Sequence, residues 1–184
     1  FDTPGVYGVS SFNDEERVAR DIILNADLIV NIVDAVHLER DLFLTQQLID
    51  MGKRVCVVVN MIDEAKKQKL AVDLATLEEE LDVPVLGTVA IRKEGLDGIH
   101  ALITRAREGR QREALHAELH RMLSVVGSQA EALLVLEGDP IVAARHGIAA
   151  ADAARREEIY IDRRNRVNRI VHHVVKDVQT RKDR

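Results

Sequence analysis

Short apolar runs alternate with amphipathic stretches through the first 109 residues of the 184-residue chain. The clearest run is residues 54–60, where five of the six residues before Asn60 are apolar and most of them are β-branched. A run of this length is too short for a helix and is typical of a strand buried on both faces of a parallel sheet. Residues 28–33 and 83–87 are predicted to form two further strands.

Amphipathic helices are predicted before, between and after these strands. The first follows Asn13 or Asp14, either of which can cap a helix whose first turn is acidic, and a later one stops at Gly52. The predicted helices comprise residues 15–25, 38–51, 73–81 and 95–107. Regular alternation of strands and helices predicts an α/β fold, with a parallel sheet and flanking helices.

Strand patterns end near Gly109. Only helices are predicted beyond it: residues 112–126, residues 128–136, a helix starting at Asp139-Pro140, and a long one from Ala149 past Val175. The last helix has a regularly spaced apolar stripe at Ile159, Val167, Ile170, Val171, Val174 and Val178. The chain is therefore predicted to have two parts, an α/β part at residues 1–109 and an all-helical part at residues 110–184.

Composition narrows the class of protein. Hydrophobic residues make up 46% of the chain, but only 3% of residues are aromatic and Trp is absent, which predicts aliphatic packing. The single cysteine, Cys56, lies in a predicted strand, so a disulfide within the chain is excluded and a reducing compartment is expected. Because no signal peptide or membrane-spanning run is recognisable, we expect a soluble polypeptide.

Charge is unevenly distributed along the chain. The net charge is −5, yet residues 155–184 contain ten Lys or Arg against five Asp or Glu, a local excess of +5. A basic end on an acidic protein favours approach to an anionic membrane face or to nucleic acid, although a solvated helix surface has the same pattern.

Asn60 and Asp63 are the first candidate binding residues. They follow a buried strand, and ligands of α/β sheets bind beyond the carboxyl ends of the strands. The Asn60 amide can donate and accept hydrogen bonds, whereas the Asp63 carboxylate only accepts them. An acceptor of this kind suits guanine, which presents an N–H group and an NH₂ group side by side. Capping of a loop is the alternative role for this pair of residues.

Two further motifs accompany this pair. Asp2-Thr3-Pro4-Gly5 opens the chain, and Thr88-Val89-Ala90 follows a predicted strand. In this order, the three motifs resemble the third, fourth and fifth motifs of GTP-binding domains. The chain resembles more closely the cytoplasmic part of the FeoB family of ferrous-iron transporters, in these segments: Glu15-Glu16-Arg17-Val18-Ala19-Arg20, Val33-Asp34-Ala35, Leu38-Glu39-Arg40 and Asn60-Met61-Ile62-Asp63-Glu64-Ala65.

The resemblance implies part of a P-loop-NTPase-like G domain that binds GTP with Mg²⁺, followed by a helical domain leading toward a membrane region. It assigns Asp2 to Mg²⁺ through a water molecule and the Gly5 N–H to the γ-phosphate. Asn60 and Asp63 would bind the guanine base, and residues 88–90 would present backbone N–H groups to its oxygen. The full set of implied GTP-binding residues is Asp2, Thr3, Pro4, Gly5, Asn60, Met61, Asp63, Thr88, Val89 and Ala90.

Three features depart from the usual GTPase pattern. Met61 stands where a Lys usually packs on the base, which predicts weaker nucleotide binding and fast exchange. Val6 follows Gly5 in place of a water-orienting Gln, so we expect hydrolysis to be slow or to rely on another group. The sequence contains no Gly-x-x-x-x-Gly-Lys-Ser/Thr phosphate loop. We therefore expect an N-terminally truncated chain that binds GTP poorly and is inactive by itself.

The resemblance places the function at the cytoplasmic face of the bacterial inner membrane. The chain would be the GTP-binding and GTP-hydrolysing regulatory region of a ferrous-iron transporter, in which residues 2–25 rearrange on hydrolysis. The implied partners are a guanine nucleotide, the membrane-embedded region of the same protein and small accessory Feo proteins, without nucleic acid. Two alternatives stay open: a soluble Era-like or TrmE-like GTPase acting on RNA, and a non-catalytic, degenerate G-domain interaction module.

Overall fold

The computed structural model describes residues 1–178. Its helices and strands are, in chain order, α1 (Asp14–Asn25), β1 (Leu28–Asp34), α2 (Leu38–Asp50), β2 (Arg54–Asn60), α3 (Ile62–Lys67), β3 (Leu70–Val72), α4 (Leu74–Leu81), β4 (Val85–Gly87), α5 (Ile99–Thr104), β5 (Arg107–Glu108), α6 (Glu113–Val126), α7 (Gln129–Leu136), α8 (Pro140–Arg145), α9 (Ala153–Val174) and β6 (Val175–Asp177). Two short 3₁₀ turns, Ala90–Arg92 and Leu96–Gly98, lie between β4 and α5.

The main sheet is built around β2. Strands β1 and β4 pair with β2 in parallel, in the order β1-β2-β4. The residues of β2 from Val55 to Val59 are buried, as their apolar run predicted. The register pairs Asp34, at the end of β1, with Asn60, at the end of β2. The carboxyl ends of the strands therefore meet at one edge of the sheet, where ligands of such folds bind.

The structure corrects two predicted helices. The helix predicted at residues 95–107 is shorter, because α5 ends at Thr104 and residues 107–108 pair antiparallel with the start of β2. The long helix predicted past Val175 ends at Val174, and β6 follows it and pairs antiparallel with β3. The part beyond Gly109 is therefore not entirely helical. Strands this short have no periodicity that separates them from a helical turn.

The helices beyond Gly109 share a hydrophobic core with the α/β part. α9 packs against α2 and α4, and its buried apolar side chains belong to the same cluster as those of the sheet. Val178, the last position of the stripe predicted in α9, lies beyond the helix and is 52% exposed. Four other positions of that stripe are buried, as predicted: Ile159, Val167, Ile170 and Val174. The division of the chain near residue 109 stays a prediction.

β1 is an edge strand among the described residues, since β2 is the one strand that pairs with it. Beside it lies a groove of about 950 Å³, lined by residues 1–6, the end of α1 and residues 28–32. Val30 and Ile32 of this strand are exposed, Ile32 to 66%. An unpaired apolar edge of this kind is a template for pairing with another chain.

We predict that the β1 edge drives self-association of the 184-residue chain. Ile32→Lys should lower the association constant by about tenfold or more, because a charged side chain on an edge opposes strand pairing. Light scattering over a range of protein concentrations measures the change. Val125→Lys, at an apolar position of α6 that is 57% exposed, is the matched control. A wild-type chain that stays monomeric and melts sharply would contradict this prediction.

Candidate functional site

Asn60 joins the two loops that follow β2 and β4. Its side-chain Oδ1 accepts a hydrogen bond from Thr88 Oγ1 at 2.9 Å and another from the Ala90 N–H at 3.0 Å. The Thr88 N–H donates to the Val59 carbonyl oxygen at 2.9 Å, which continues the pairing of β2 with β4 into the loop. Two of the three predicted motifs are thus brought together. Because Asn60 Oδ1 already accepts these two hydrogen bonds, the side-chain NH₂ group is what Asn60 can offer to a ligand, as a donor.

Met61 turns the chain from β2 into α3. Its backbone lies in the left-handed region, with φ of 64°, a conformation that is uncommon for residues other than glycine. The residue is 42% exposed and immediately follows Asn60. An exposed thioether in this place offers a polarisable apolar contact for a flat ring, without the charge of the usual Lys.

Asp63 lies in the first turn of α3 and contributes a partly buried carboxylate. Its side chain is 16% exposed, and its Oδ2 lies 3.3 Å from Nη2 of Arg92. Arg92 ends the short 3₁₀ turn after β4 and was not among the residues predicted from the sequence. No motif spacing points to it, because the ion pair depends on how the loop at residues 88–95 folds back.

Residues 88–95 form a closed loop. Val89 and Glu94 exchange two backbone hydrogen bonds, at 3.1 and 3.2 Å. Gly95 has φ of +78°, and a Cβ at this position would lie 2.5 Å from the Gly87 carbonyl oxygen, so the close approach requires glycine. The backbone N–H groups of residues 88–90 all donate within the protein. A base oxygen would therefore share the N–H of residue 90 with the Asn60 side chain.

A turn at the end of β1 supports the position of Asn60. The Ala35 N–H donates to the Asn60 backbone carbonyl oxygen at 2.9 Å. Asp34 Oδ2 lies 2.8 Å from His37 Nδ1, and Asp34 Oδ1 accepts from the Val36 N–H at 2.8 Å. Burial alone would raise the pKa of Asp34, but the contacts with His37 and Val36 outweigh it and lower the pKa. The carboxylate is thus ionised and engaged by its own turn.

Residues 2–5, the remaining motif, line the groove beside β1. Asp2 and Gly5 are exposed, whereas Thr3 and Pro4 are half-buried. The carboxylate of Asp2 suits Mg²⁺, which commonly binds one or two carboxylates and takes waters and phosphate oxygens as its other ligands. Within residues 1–178, no group of three or more His, Cys, Asp or Glu side chains is arranged to hold a metal ion.

Residues 6–12, which follow the first motif, are attached to the interior of the protein through Gln47 of α2. The Val9 N–H donates to Gln47 Oε1 at 2.7 Å, and Gln47 Nε2 donates to the Val9 carbonyl oxygen at 2.9 Å. Gln47 Nε2 also donates to Glu137 Oε2, beyond the end of α7, at 2.8 Å. One buried side chain therefore connects this segment with the helices beyond residue 109.

A second connection joins the same segment to the start of α8. Ser11 Oγ donates to Asp139 Oδ2 at 2.6 Å, and the Arg20 guanidinium donates to Ser11 Oγ. The other oxygen of Asp139 caps α8 by accepting the N–H groups of Ile141 and Val142, both at 3.1 Å. Because Asp139 is buried, movement of Ser11 would disturb the beginning of this helix.

Comparison of the sequence with those of known proteins shows the family of this chain. The family model described as Ferrous iron transport protein B matches residues 1–103. This chain belongs to the ferrous iron transport protein B family. The Fe(2+) transporter FeoB of Escherichia coli K12 is 35% identical over 121 residues, and that of Salmonella typhimurium is 36% identical over the same length. Both matches cover 62% of this chain and 16% of the transporter. The predicted family is confirmed.

Solved cytosolic domains of FeoB proteins have the same fold. The apo form from T. maritima matches with a TM-score of 0.82 and 25% identity over 95% of this chain and 79% of that one. Its GMPPNP form has a TM-score of 0.79, 26% identity and coverage of 96% and 79%. A GDP-bound mutant of S. thermophilus NFeoB has a TM-score of 0.76, 28% identity and coverage of 94% and 79%. The predicted α/β fold class, with a parallel sheet and flanking helices, is confirmed.

The curated relatives are much longer than this chain, which spans 16% of the length of the E. coli transporter. Of the helices described in residues 1–178, none has both the length and the apolar character of a membrane span. The longer relatives are the proteins that are described as Fe(2+) transporters.

Asn60→Ala should loosen both loops of the site. The change leaves Thr88 Oγ1 and the Ala90 N–H without their acceptor, so we expect the free energy of unfolding to fall by about 1–3 kcal/mol. Amide exchange of residues 88–94 should become faster. Urea denaturation and hydrogen exchange measure the two effects.

The control for this variant is Asn25→Ala, because the Asn25 amide donates to the Asp21 carbonyl oxygen at an exposed helix end. It should lower stability by less than about 0.5 kcal/mol. Unchanged exchange of residues 88–94 in Asn60→Ala would show that Asn60 does not hold the loops together.

Proposed function

We propose that this chain recognises the guanine base of GTP and GDP and forms part of the GTP-dependent regulatory region of a ferrous-iron transporter. The observation that carries the proposal is the junction at Asn60, whose side chain holds the Asp63 turn beside residues 88–90 at the carboxyl ends of two parallel strands. Relatives solved with GMPPNP and GDP support it. Family membership favours this role over an RNA-associated GTPase or a non-catalytic module.

Each group of the junction has a partner on guanine. The Asp63 carboxylate would accept from the ring N–H and the exocyclic NH₂, two charge-assisted hydrogen bonds in one plane. The Asn60 NH₂ group would donate to a ring nitrogen, and the Ala90 N–H would donate to the base oxygen. Adenine lacks a ring N–H at the corresponding place and would leave the carboxylate unsatisfied, which costs more than the missing bond alone. Met61 would contact the face of the ring.

The motif at residues 2–5 would bind Mg²⁺ and contact the phosphates of the nucleotide. Asp2 would hold Mg²⁺ through a water molecule, and the ion, when bound, neutralises phosphate charge. Gly5 would approach the γ-phosphate with its N–H, and a Cβ at this position would meet no atom within 4 Å, so there is room for the ligand. Val6 has no group that can orient a water molecule, so GTP hydrolysis in the full-length protein should be slow or rely on another group.

The nucleotide state would reach the helices through residues 6–12. Val9 and Ser11 of this segment are bonded to Gln47 and Asp139, and Gln47 is bonded in turn to Glu137. A rearrangement of the segment on hydrolysis would break or move these buried bonds. The helices would then pass the change to the membrane-embedded region of the longer protein.

Contacts with the membrane or with accessory Feo proteins would use the basic end of the chain, at the cytoplasmic face. Part of its charge is already neutralised, since Arg155 pairs with Glu118 and Glu158, and Arg163 with Glu137. The basic residues nearest the end lie outside the described residues: Arg181, Lys182 and Arg184. Relatives described as cytosolic domains of FeoB support this location.

Asp63→Asn in the full-length protein should shift base preference from guanine toward xanthine. An amide nitrogen can donate to the additional oxygen of xanthine, whereas it no longer accepts both donors of guanine. Loss of hydrogen bonds to a charged group predicts GTP binding weaker by about 10- to 100-fold and a gain in XTP binding. Competition between GTP and XTP for a fluorescent analogue measures the preference.

The matched control is Asp97→Asn, which changes an exposed carboxylate outside the junction and should keep the wild-type preference. If Asp63→Asn keeps it as well, Asp63 does not contact the base. If the full-length wild-type protein binds GTP no better than ATP, guanine recognition itself is wrong.

A further inference from the structure

Arg92 and Asp63 form an ion pair between the loop at residues 88–95 and the first turn of α3. Nη2 of Arg92 lies 3.3 Å from Oδ2 of Asp63, and Nη1 lies 3.9 Å from Glu94 Oε1 in its own loop. The Arg92 side chain is 54% exposed and that of Asp63 is 16% exposed. A half-exposed guanidinium is thus paired with the less accessible carboxylate assigned to the base.

The backbone of Arg92 is held in a defined place. The Arg92 N–H donates to the Val89 carbonyl oxygen at 3.0 Å, inside the loop that Val89 and Glu94 close. Lys93, the next residue, is left-handed with φ of 58° and donates its N–H to the Ala90 carbonyl oxygen at 3.0 Å. Arg92 therefore stays within reach of Asp63 as a consequence of the same loop that carries Ala90.

We propose that Arg92 and guanine compete for the Asp63 carboxylate, so that Arg92 lowers the affinity for guanine nucleotides. The inference rests on the proposed function. A guanidinium and the edge of guanine present the same pattern to a carboxylate, two parallel N–H donors in one plane. Guanine would use both oxygens of Asp63, one of which Arg92 contacts. Binding of the base therefore competes with the Arg92 contact.

The competition should be moderate in strength. Ion pairs with an exposed partner contribute little because solvent screens them and the long side chain loses freedom. Removing Arg92 should therefore tighten GDP binding by roughly two- to five-fold. The gain should shrink at high salt, because added ions weaken the competing pair. Met61, being uncharged, cannot replace Arg92 as a partner of Asp63.

The test uses the full-length protein and a fluorescent GDP analogue at low and high salt. Arg92→Ala should bind the analogue roughly two- to five-fold more tightly than the wild type, and Arg92→Lys, which keeps a positive charge, should fall between them. Arg105→Ala is the matched control, because Arg105 is also 54% exposed and pairs with Glu78 at 3.2 Å. It should leave GDP affinity unchanged.

Repeating Arg92→Ala in the Asp63→Asn background shows whether the effect passes through Asp63. We expect no further change there, because the amide of the variant is not an ion-pair partner. A gain of the same size in that background would overturn the proposal, as would weaker or unchanged GDP binding of Arg92→Ala alone. A wild-type protein that binds no guanine nucleotide would instead refute the proposed function, and the inference with it.

Discussion

A positive charge in the interior joins α9 to α2 and to the end of α7. Arg163 of α9 is fully buried, and its guanidinium pairs with Glu137 and lies 3.6 Å from Asp50 Oδ2. Burial alone would lower the pKa of Arg163, but the two carboxylates outweigh it and raise the pKa, so the group stays charged. Because removing one partner of a buried pair costs about 3–5 kcal/mol, α2, α7 and α9 are constrained to remain together.

The same cluster reaches the segment assigned to the nucleotide response. Glu137 uses one oxygen for Arg163 and the other for Gln47, and Gln47 holds the backbone of Val9 on both sides. Movement of Val9 would therefore break its bonds to Gln47, whose amide is bonded to the buried Glu137, and buried hydrogen bonds are costly to leave unmade. This requirement gives a physical reason why a change beside the phosphates would be felt in the helices.

The sequence predicted what is local and missed what depends on distant partners. The apolar run before Asn60 predicted the central strand, because that pattern is short and continuous. The resemblance to GTP-binding domains pointed to residues 60–63 and 88–90, which the structure brings together. Arg92 has no signal of its own, since its partner lies 29 positions earlier. Arg163 lies in a helix rich in charged residues, where periodicity alone does not single out a buried arginine among solvated ones. The pairing of β3 with β6 was missed because each strand is too short to show a periodicity and its partner is distant in the sequence.

Hydrogen exchange of the full-length protein with GDP and with GMPPNP tests most directly whether these contacts transmit the nucleotide state. In the wild type, exchange of residues 6–12 and of residues 129–145 should differ between the nucleotides. Gln47→Leu should abolish the difference in residues 129–145. Gln46→Leu is the matched control and should preserve the difference, because the buried Gln46 amide is bonded to Asp50 and Arg166 instead. Equal exchange with both nucleotides in the wild type, or a difference that survives Gln47→Leu, would contradict the account.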